Sequence, residues 1–247
     1  MTQLKLLLLA VGFYTRLPVP ALQNYSQLPQ STVYLPLVGW IIGALTALSC
    51  YLADYLWPTP VGVILALIVG ILLTGAFHED GFADVCDGFG GGYNKTRILA
   101  IMKDSYIGVY GTVGLLLLFA LKISLLSAQG NSAPLFLLVG HSISRLPPLL
   151  LMRQYDYTRI DNSKVAAAVY KPNGQDLVFT SAIALLPLAL LPSLCLLALV
   201  PVIIINTLLG HYFYRHIGGY TGDCLGASQQ VAEVVFYLSA STLWTFI

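Results

Sequence analysis

Charge is the scarcest property of this 247-residue chain: 12 Lys or Arg and 11 Asp or Glu make up 9% of it, where a soluble domain carries about a quarter. With 57% hydrophobic residues and a mean hydropathy of +0.79, a water-soluble fold would leave too much apolar surface in water. The lipid bilayer is therefore the solvent for most of the chain. The net charge of +1 excludes the basic footprint of a nucleic-acid binder. Cysteine is sparse too. Cys50, Cys86, Cys195 and Cys224 show no CxxC or His spacing, which argues against a zinc or disulfide framework and for small packing residues. No small-x-small cleavage site follows the short apolar run 6–14, which breaks at Arg16-Leu-Pro-Val-Pro. It is too short to span and unlike a removed signal, so it reads as an interfacial or re-entrant helix. No polar stretch is long enough for a second core, so residues 1–247 read as a single membrane domain.

What the chain does have is long apolar runs. A spanning helix needs about 20 such residues, and the candidates are 33–57, 61–78, 107–127, 135–152, 177–191, 196–213 and 231–247. Backbone groups in lipid must pair internally, so these are helices. The expected fold is an all-α polytopic integral membrane bundle of about seven transmembrane helices behind an N-terminal interfacial helix. Run 177–191 is short and holds Pro187, with Pro192 next, so its boundary with the sixth span stays open. Lys5, Arg16, Lys95, Arg97, Lys103, Arg153, Arg159, Lys164, Lys171 and Arg215 fall on one side, leaving Lys122 and Arg145 inside spans. The positive-inside rule puts that side and the N-terminus in the cytoplasm and the C-terminus outside. Every acid but Asp54 also lies at or beyond the cytoplasmic ends, so chemistry is expected on that face.

The densest polar segment is His78-Glu79-Asp80-Gly81-Phe82-Ala83-Asp84-Val85-Cys86-Asp87-Gly88. If a helix continues past Gly81, Asp80, Asp84 and Asp87 share one narrow face at i, i+4 and i+7. Three carboxylates there repel one another unless a cation or a set of donors sits among them. Oxygen-only ligands suit Mg²⁺ or Mn²⁺. Gly88-Phe89-Gly90-Gly91-Gly92-Tyr93-Asn94-Lys95-Thr96 follows. It is not a P-loop, because Asn94 replaces the glycine before the lysine and no strand precedes it. Gly90, Gly91 and Gly92 let backbone approach a bulky ligand, or form a flexible turn. Asn94 caps a short helix over 95–103, which Ile98 and Met102 rest on the lipid surface.

Lys103-Asp104-Ser105 closes this loop. Asp104 is a candidate metal ligand or proton-accepting base, and Lys103 a counter-charge for phosphate. Intramembrane Arg145 is a candidate phosphate clamp facing the acids, with snorkelling to the interface as the alternative. Lys122, about a turn from the outer end of its span, is expected to snorkel outward. His141, His211 and His216 share no spacing and read as packing hydrogen-bonders. Asp223, in the glycine-rich turn Gly218–Gly226, is a second site candidate or an N-cap; Glu233 heads the last span.

These features describe metal-assisted chemistry on phosphate esters at a membrane surface. Asp84-x-x-Asp87-Gly88 is similar to the opening of the CDP-alcohol phosphotransferase motif, but the rest of that motif is missing. The sequence resembles the cobalamin synthase family of adenosylcobinamide-GDP ribazoletransferases. The residues that carry this are His78-Glu79-Asp80-Gly81-x-Ala83-Asp84-x-x-Asp87-Gly88, Met102-Lys103-Asp104-Ser105-x-Ile107-Gly108-x-x-Gly111, Thr221-Gly222-Asp223-x-Leu225-Gly226-Ala227 and the early Thr15-Arg16-Leu-Pro-Val-Pro20. The resemblance implies a bacterial or archaeal cytoplasmic-membrane enzyme. Its substrates would be adenosylcobinamide-GDP and α-ribazole or α-ribazole 5′-phosphate, with GMP released. Mg²⁺, or Mn²⁺, would sit on Asp80, Asp84 and Asp87. Asp104 or Glu79 would take the hydroxyl proton, and Lys103 and Arg145 would hold phosphate oxygens. A CDP-alcohol-type head-group phosphotransferase and, further off, a small transporter are the alternatives.

Overall fold

The computed structural model describes residues 3–20, 26–158 and 170–246; Arg159 and Lys164, used above for orientation, lie outside them. Among the described residues the structure is all-α, with one isolated backbone bridge between Tyr157 and Tyr220 and no strand. The helices are α1 (Gln3–Tyr14), α2 (Leu28–Ala53), α3 (Thr59–Thr74), α4 (Phe77–Gly91), α5 (Lys95–Ile101), α6 (Val109–Ser127), α7 (Gly130–Gln154), α8 (Gly174–Leu190), α9 (Ser193–Ile217) and α10 (Gly222–Trp244). Pro29 and Pro60 sit in the first turns of α2 and α3, where a missing N–H leaves no partner unsatisfied. α7 is interrupted at Ser144-Arg145, just before Pro147 and Pro148.

Helices α2, α6, α7 and α9 are long and apolar enough to cross a membrane, and the bent pair α3–α4 raises the number from 4 to at most 5. The expected seven are not all of that kind. Run 177–191 lies in α8, a shorter apolar helix, and 231–247 belongs to α10, which starts earlier and buries Gln229, Gln230 and Glu233. The outward faces of α6 and α9 carry Leu116, Leu117, Ile204 and Leu208, as lipid contact requires.

The second expected span, 61–78, ends early, and this difference shapes the site. α3 stops at Thr74 because Gly75 takes a left-handed conformation (φ +68°), its N–H closing on Ile71 O at 2.7 Å. Ala76 is left-handed as well (φ +60°), a rare setting for a residue with a Cβ. The chain leaves this elbow at 91° and α4 begins.

α4 then lies across the N-terminal ends of α6 and α10. A Cβ on Gly81 would come within 3.0 Å of the Asp223 backbone, and one on Gly226 within 3.1 Å of His78 O. Two glycines, one from each helix, let these backbones meet. Below them, Phe136, Leu137, Ile143, Phe236 and Tyr237 form the main apolar core between α7 and α10. A second cluster contains Ile98, Met102, Leu151, Phe213 and Ile217. Ile98 and Met102 are each 2% exposed, so they seat α5 on the protein and not on lipid as expected; their partners on α7 and α9 lie far along the chain. No disulfide joins the four cysteines, and Cys50, Cys195 and Cys224 are buried.

Candidate active site

α4 carries the acidic row, and it is one continuous helix past Gly81, as the spacing required. Asp80 is exposed and Asp84 half-buried. Asp87 is buried and faces α6: its Oδ2 accepts from Gly108 N at 2.7 Å and its Oδ1 from Gly111 N at 2.9 Å. Both oxygens thus cap the first turn of α6, where unpaired N–H groups and the helix dipole favour an anion. Among the described residues no three His, Cys, Asp or Glu side chains gather as a metal cage. Asp87, expected to join Asp80 and Asp84 around one cation, is held here by two backbone donors of α6.

The glycine segment also differs from expectation. α4 runs through Gly91, so Gly90 and Gly91 are helical. The ring of Tyr110 lies where a Gly90 side chain would be, Ile101 abuts Gly91, and Ile98 with Gly88 O crowds Gly92. Protein atoms fill the space beside Gly90 and Gly92, whereas the exposed Gly91 meets only an ordinary contact with Ile101. Asn94 does cap α5, its Oδ1 accepting from Arg97 N at 2.9 Å. Lys103 and Asp104 are exposed in the turn before α6, and Asp104 Oδ1 accepts from Tyr106 N at 3.2 Å. At α10 the cap is Thr221, whose Oγ1 accepts from Cys224 N at 3.3 Å and donates to Asp223 Oδ2 at 3.3 Å. Asp223 is therefore a first-turn acid over Gly81 and not the N-cap.

Beneath α4 lies a buried polar network that the sequence did not reveal. Lys122 is 2% exposed and does not snorkel: its Nζ donates to Glu233 Oε1 at 2.9 Å and to Gln230 Oε1 at 2.7 Å. Gln230 Nε2 donates to Glu79 Oε1 at 2.9 Å. Gln229 Nε2 donates to Glu233 Oε2 and Ser144 Oγ, both at 2.8 Å, and Tyr237 OH donates to Glu233 Oε1 at 3.2 Å. Arg145, 1% exposed, neither snorkels nor reaches toward the exposed acids. Its Nη1 donates to His141 O and lies 3.2 Å from His141 Nδ1. Lys122, His141, Arg145, Gln229, Gln230 and Glu233, with His78 and Glu79, line a cavity of about 20 Å³. That space suits a single water, not a substrate.

The amino-acid sequence model of the cobalamin-5-phosphate synthase family matches residues 6–241. The chain belongs to this family. It is 40% identical to the adenosylcobinamide-GDP ribazoletransferase of Shewanella amazonensis over 98% of its own length and 97% of that protein's. Its identity to the protein of the same name in Pseudoalteromonas atlantica is 42%, covering 96% and 90% of the two chains. For the one in Leptospira interrogans it is 40%, covering 95% and 94%. No solved structure matches.

In this cobalamin-5-phosphate synthase family member, Asp223 of α10 sits over Gly81, beside Asp80, where α4 crosses α10, and Asp84 follows one turn further along α4. It withdraws Glu79 and Arg145 into the bundle and assigns Asp87 to α6. His216 is exposed and its Nδ1 lies 2.8 Å from Tyr212 O of its own helix, and His211 is exposed too. What the sequence reading missed is the pairing of Lys122 with α10. The signal was there: a lone lysine in an apolar helix, and Gln229-Gln230-x-x-Glu233 on another, are charges and amides that lipid does not tolerate alone.

Proposed function

We propose that this protein catalyses the last assembly step of the cobalamin nucleotide loop, transferring adenosylcobinamide phosphate from adenosylcobinamide-GDP to α-ribazole or its 5′-phosphate and releasing GMP. The observation that carries this reading is the near-full-length likeness to relatives bearing that activity in their names. The acidic crossing at the helix mouths gives the reaction a place. The ribazole ribose hydroxyl attacks the phosphorus joined to the cobinamide arm. The P–O bond to the bridging diphosphate oxygen breaks, and its electron pair leaves with GMP. Asp104, exposed at the end of the α5 loop, takes the hydroxyl proton, and Lys103 beside it balances non-bridging oxygens.

A divalent cation fits the donor set. Mg²⁺ commonly sits on one or two carboxylates plus substrate phosphates, and Asp80 and Asp84 offer two at i, i+4 on the accessible side of α4. Mg²⁺ or Mn²⁺ held there would neutralise charge growing on the leaving diphosphate oxygen. The N-terminal ends of α6 and α10 add positive dipole ends at the same mouth. We place this mouth and the N-terminus on the cytoplasmic side of a cytoplasmic membrane, following the basic residues.

The test is nucleotide release. Purified protein with Mg²⁺, adenosylcobinamide-GDP and α-ribazole is expected to yield GMP and the joined product. CMP released from a CDP-lipid instead would overturn the reading in favour of a head-group phosphotransferase, and no release from either would overturn it outright.

A further inference from the structure

The four acids of α4 divide by the direction they face. Glu79 and Asp87, near its two ends, are held by other helices, Glu79 by α10 and Asp87 by α6, with Asp80 and Asp84 between them. Two observations single out Glu79. Its Oε1 is bonded to Gln230, while its Oε2 is buried with no hydrogen-bonding partner, and it lines the small cavity together with the equally buried, unpartnered Nε of Arg145. A carboxylate so placed faces the interior of the bundle, not the mouth.

We propose that Lys122, Gln230 and Glu233 are positioning residues that act through Glu79 to fix α4, and that Glu79 is a tether and not the base of the reaction. The chemistry of the chain is directional. Lys122 has only protons to give, so the oxygen of the Gln230 amide must face it. The Gln230 amide nitrogen is thereby turned toward Glu79, which accepts. Glu233 fixes the other end: it accepts from Lys122, Gln229 and Tyr237. A lysine on α6 therefore sets the position of the first turn of α4, one residue from Asp80. A buried polar network with donors and acceptors ordered in this way specifies a geometry more than it adds stability.

The inference rests on the proposed transfer for its activity assay. Full-length wild type, Gln230→Leu, Gln230→Glu and the exchange Glu79→Gln/Gln230→Glu are compared in lipid nanodiscs for GMP release and melting temperature. Gln230→Leu keeps the Lys122–Glu233 pair and deletes the tether. Its kcat is expected to fall about tenfold or more, with KM for either substrate within about twofold. The exchange rebuilds the bond with donor and acceptor reversed and leaves an acceptor for Lys122, at the loss only of the bond that Gln230 Nε2 gives to Gln229 Oε1, so kcat is expected to return to within about threefold of wild type. Gln230→Glu alone sets two carboxylates against each other, so its kcat is expected to fall about tenfold or more as well.

Wild-type kcat in Gln230→Leu overturns the proposal. So does an exchange form as inactive as Gln230→Leu at a wild-type melting temperature, because Glu79 is then needed for its charge. Should the exchange form not accumulate, Gln230→Glu decides: wild-type kcat overturns the tether, and a loss matching that of Gln230→Leu sustains it. A wild type that releases no GMP is a failure of the proposed reaction instead. The tether is then read from melting temperatures alone, lowered by Gln230→Leu and restored by the exchange, and no lowering overturns it.

Discussion

The backbone N–H of Arg16 donates to the carbonyl of Leu73 at 2.7 Å, joining the segment after α1 to the last turn of α3. Two residues on, left-handed Gly75 packs against the Arg16 side chain, which occupies the space a Cβ would need. The Thr15-Arg16 motif near the N-terminus is thus a latch on the elbow that launches α4. Gly75→Ala meets both a disfavoured φ and a collision. It is expected to destabilise the protein by about 1–3 kcal/mol, read as a lower melting temperature in detergent, whereas Ala76→Gly is expected to raise it.

Asp84 and Asp87 should separate in their effects. Asp84→Asn is expected to abolish GMP release while inserting and melting as wild type. Asp87→Ala removes the cap of α6 and is expected to cost about 0.5–2 kcal/mol of stability. Asp87→Asn, which keeps one acceptor, should retain more activity than Asp84→Asn. Equal losses of activity in the two Asn variants, at unchanged stability, would return Asp87 to the cation.

The cation has its own test. Chelator is expected to stop GMP release, and Mg²⁺ or Mn²⁺ to restore it. Melting behaviour should hardly change, since the described helices are built on apolar cores and not around a metal.

Lys122→Met strands Glu233 among apolar helices. Removing one partner of a buried pair typically costs about 3–5 kcal/mol. Loss of folded protein is therefore expected in Lys122→Met, and recovery of most of it in Lys122→Met/Glu233→Gln. Protein yield and melting temperature in the same detergent measure both.

The chain after residue 169 supplies a pH test. Tyr170 donates to Asp176, which completes the capping box of α8 with Asn173, and burial together with Asp176 pushes the Tyr170 hydroxyl up to about 12. The folded state thus holds this proton more tightly than the unfolded state. Its contribution is complete below the ordinary tyrosine value of 10.0 and is lost as pH rises toward about 12. Tyr170→Phe is expected to flatten that alkaline loss in melting curves taken across the same range.

Local signals in the sequence were readable and long-range ones were not. The i, i+4, i+7 spacing of Asp80, Asp84 and Asp87 placed them on one helix, and Asn94 announced α5, because helix periodicity and N-capping act within a few residues. The partners of those groups come from elsewhere. Gly108 and Gly111 bring their N–H groups to Asp87 from 21 and 24 residues away, and Glu233 meets Lys122 across 111 residues. Helix spacing says which side chains share a face, but not which neighbour that face meets. The elbow was hidden for a related reason: Gly75 is an ordinary glycine in an apolar run until Arg16 is packed against it.

α4 is thus pinned near both ends, by an amide at Glu79 and by two peptide N–H groups at Asp87, like a beam resting on two piers. A beam so held has little freedom left to lose when a bulky ligand settles on it. Encounter with a large corrinoid can then proceed without first freezing the acidic surface into shape.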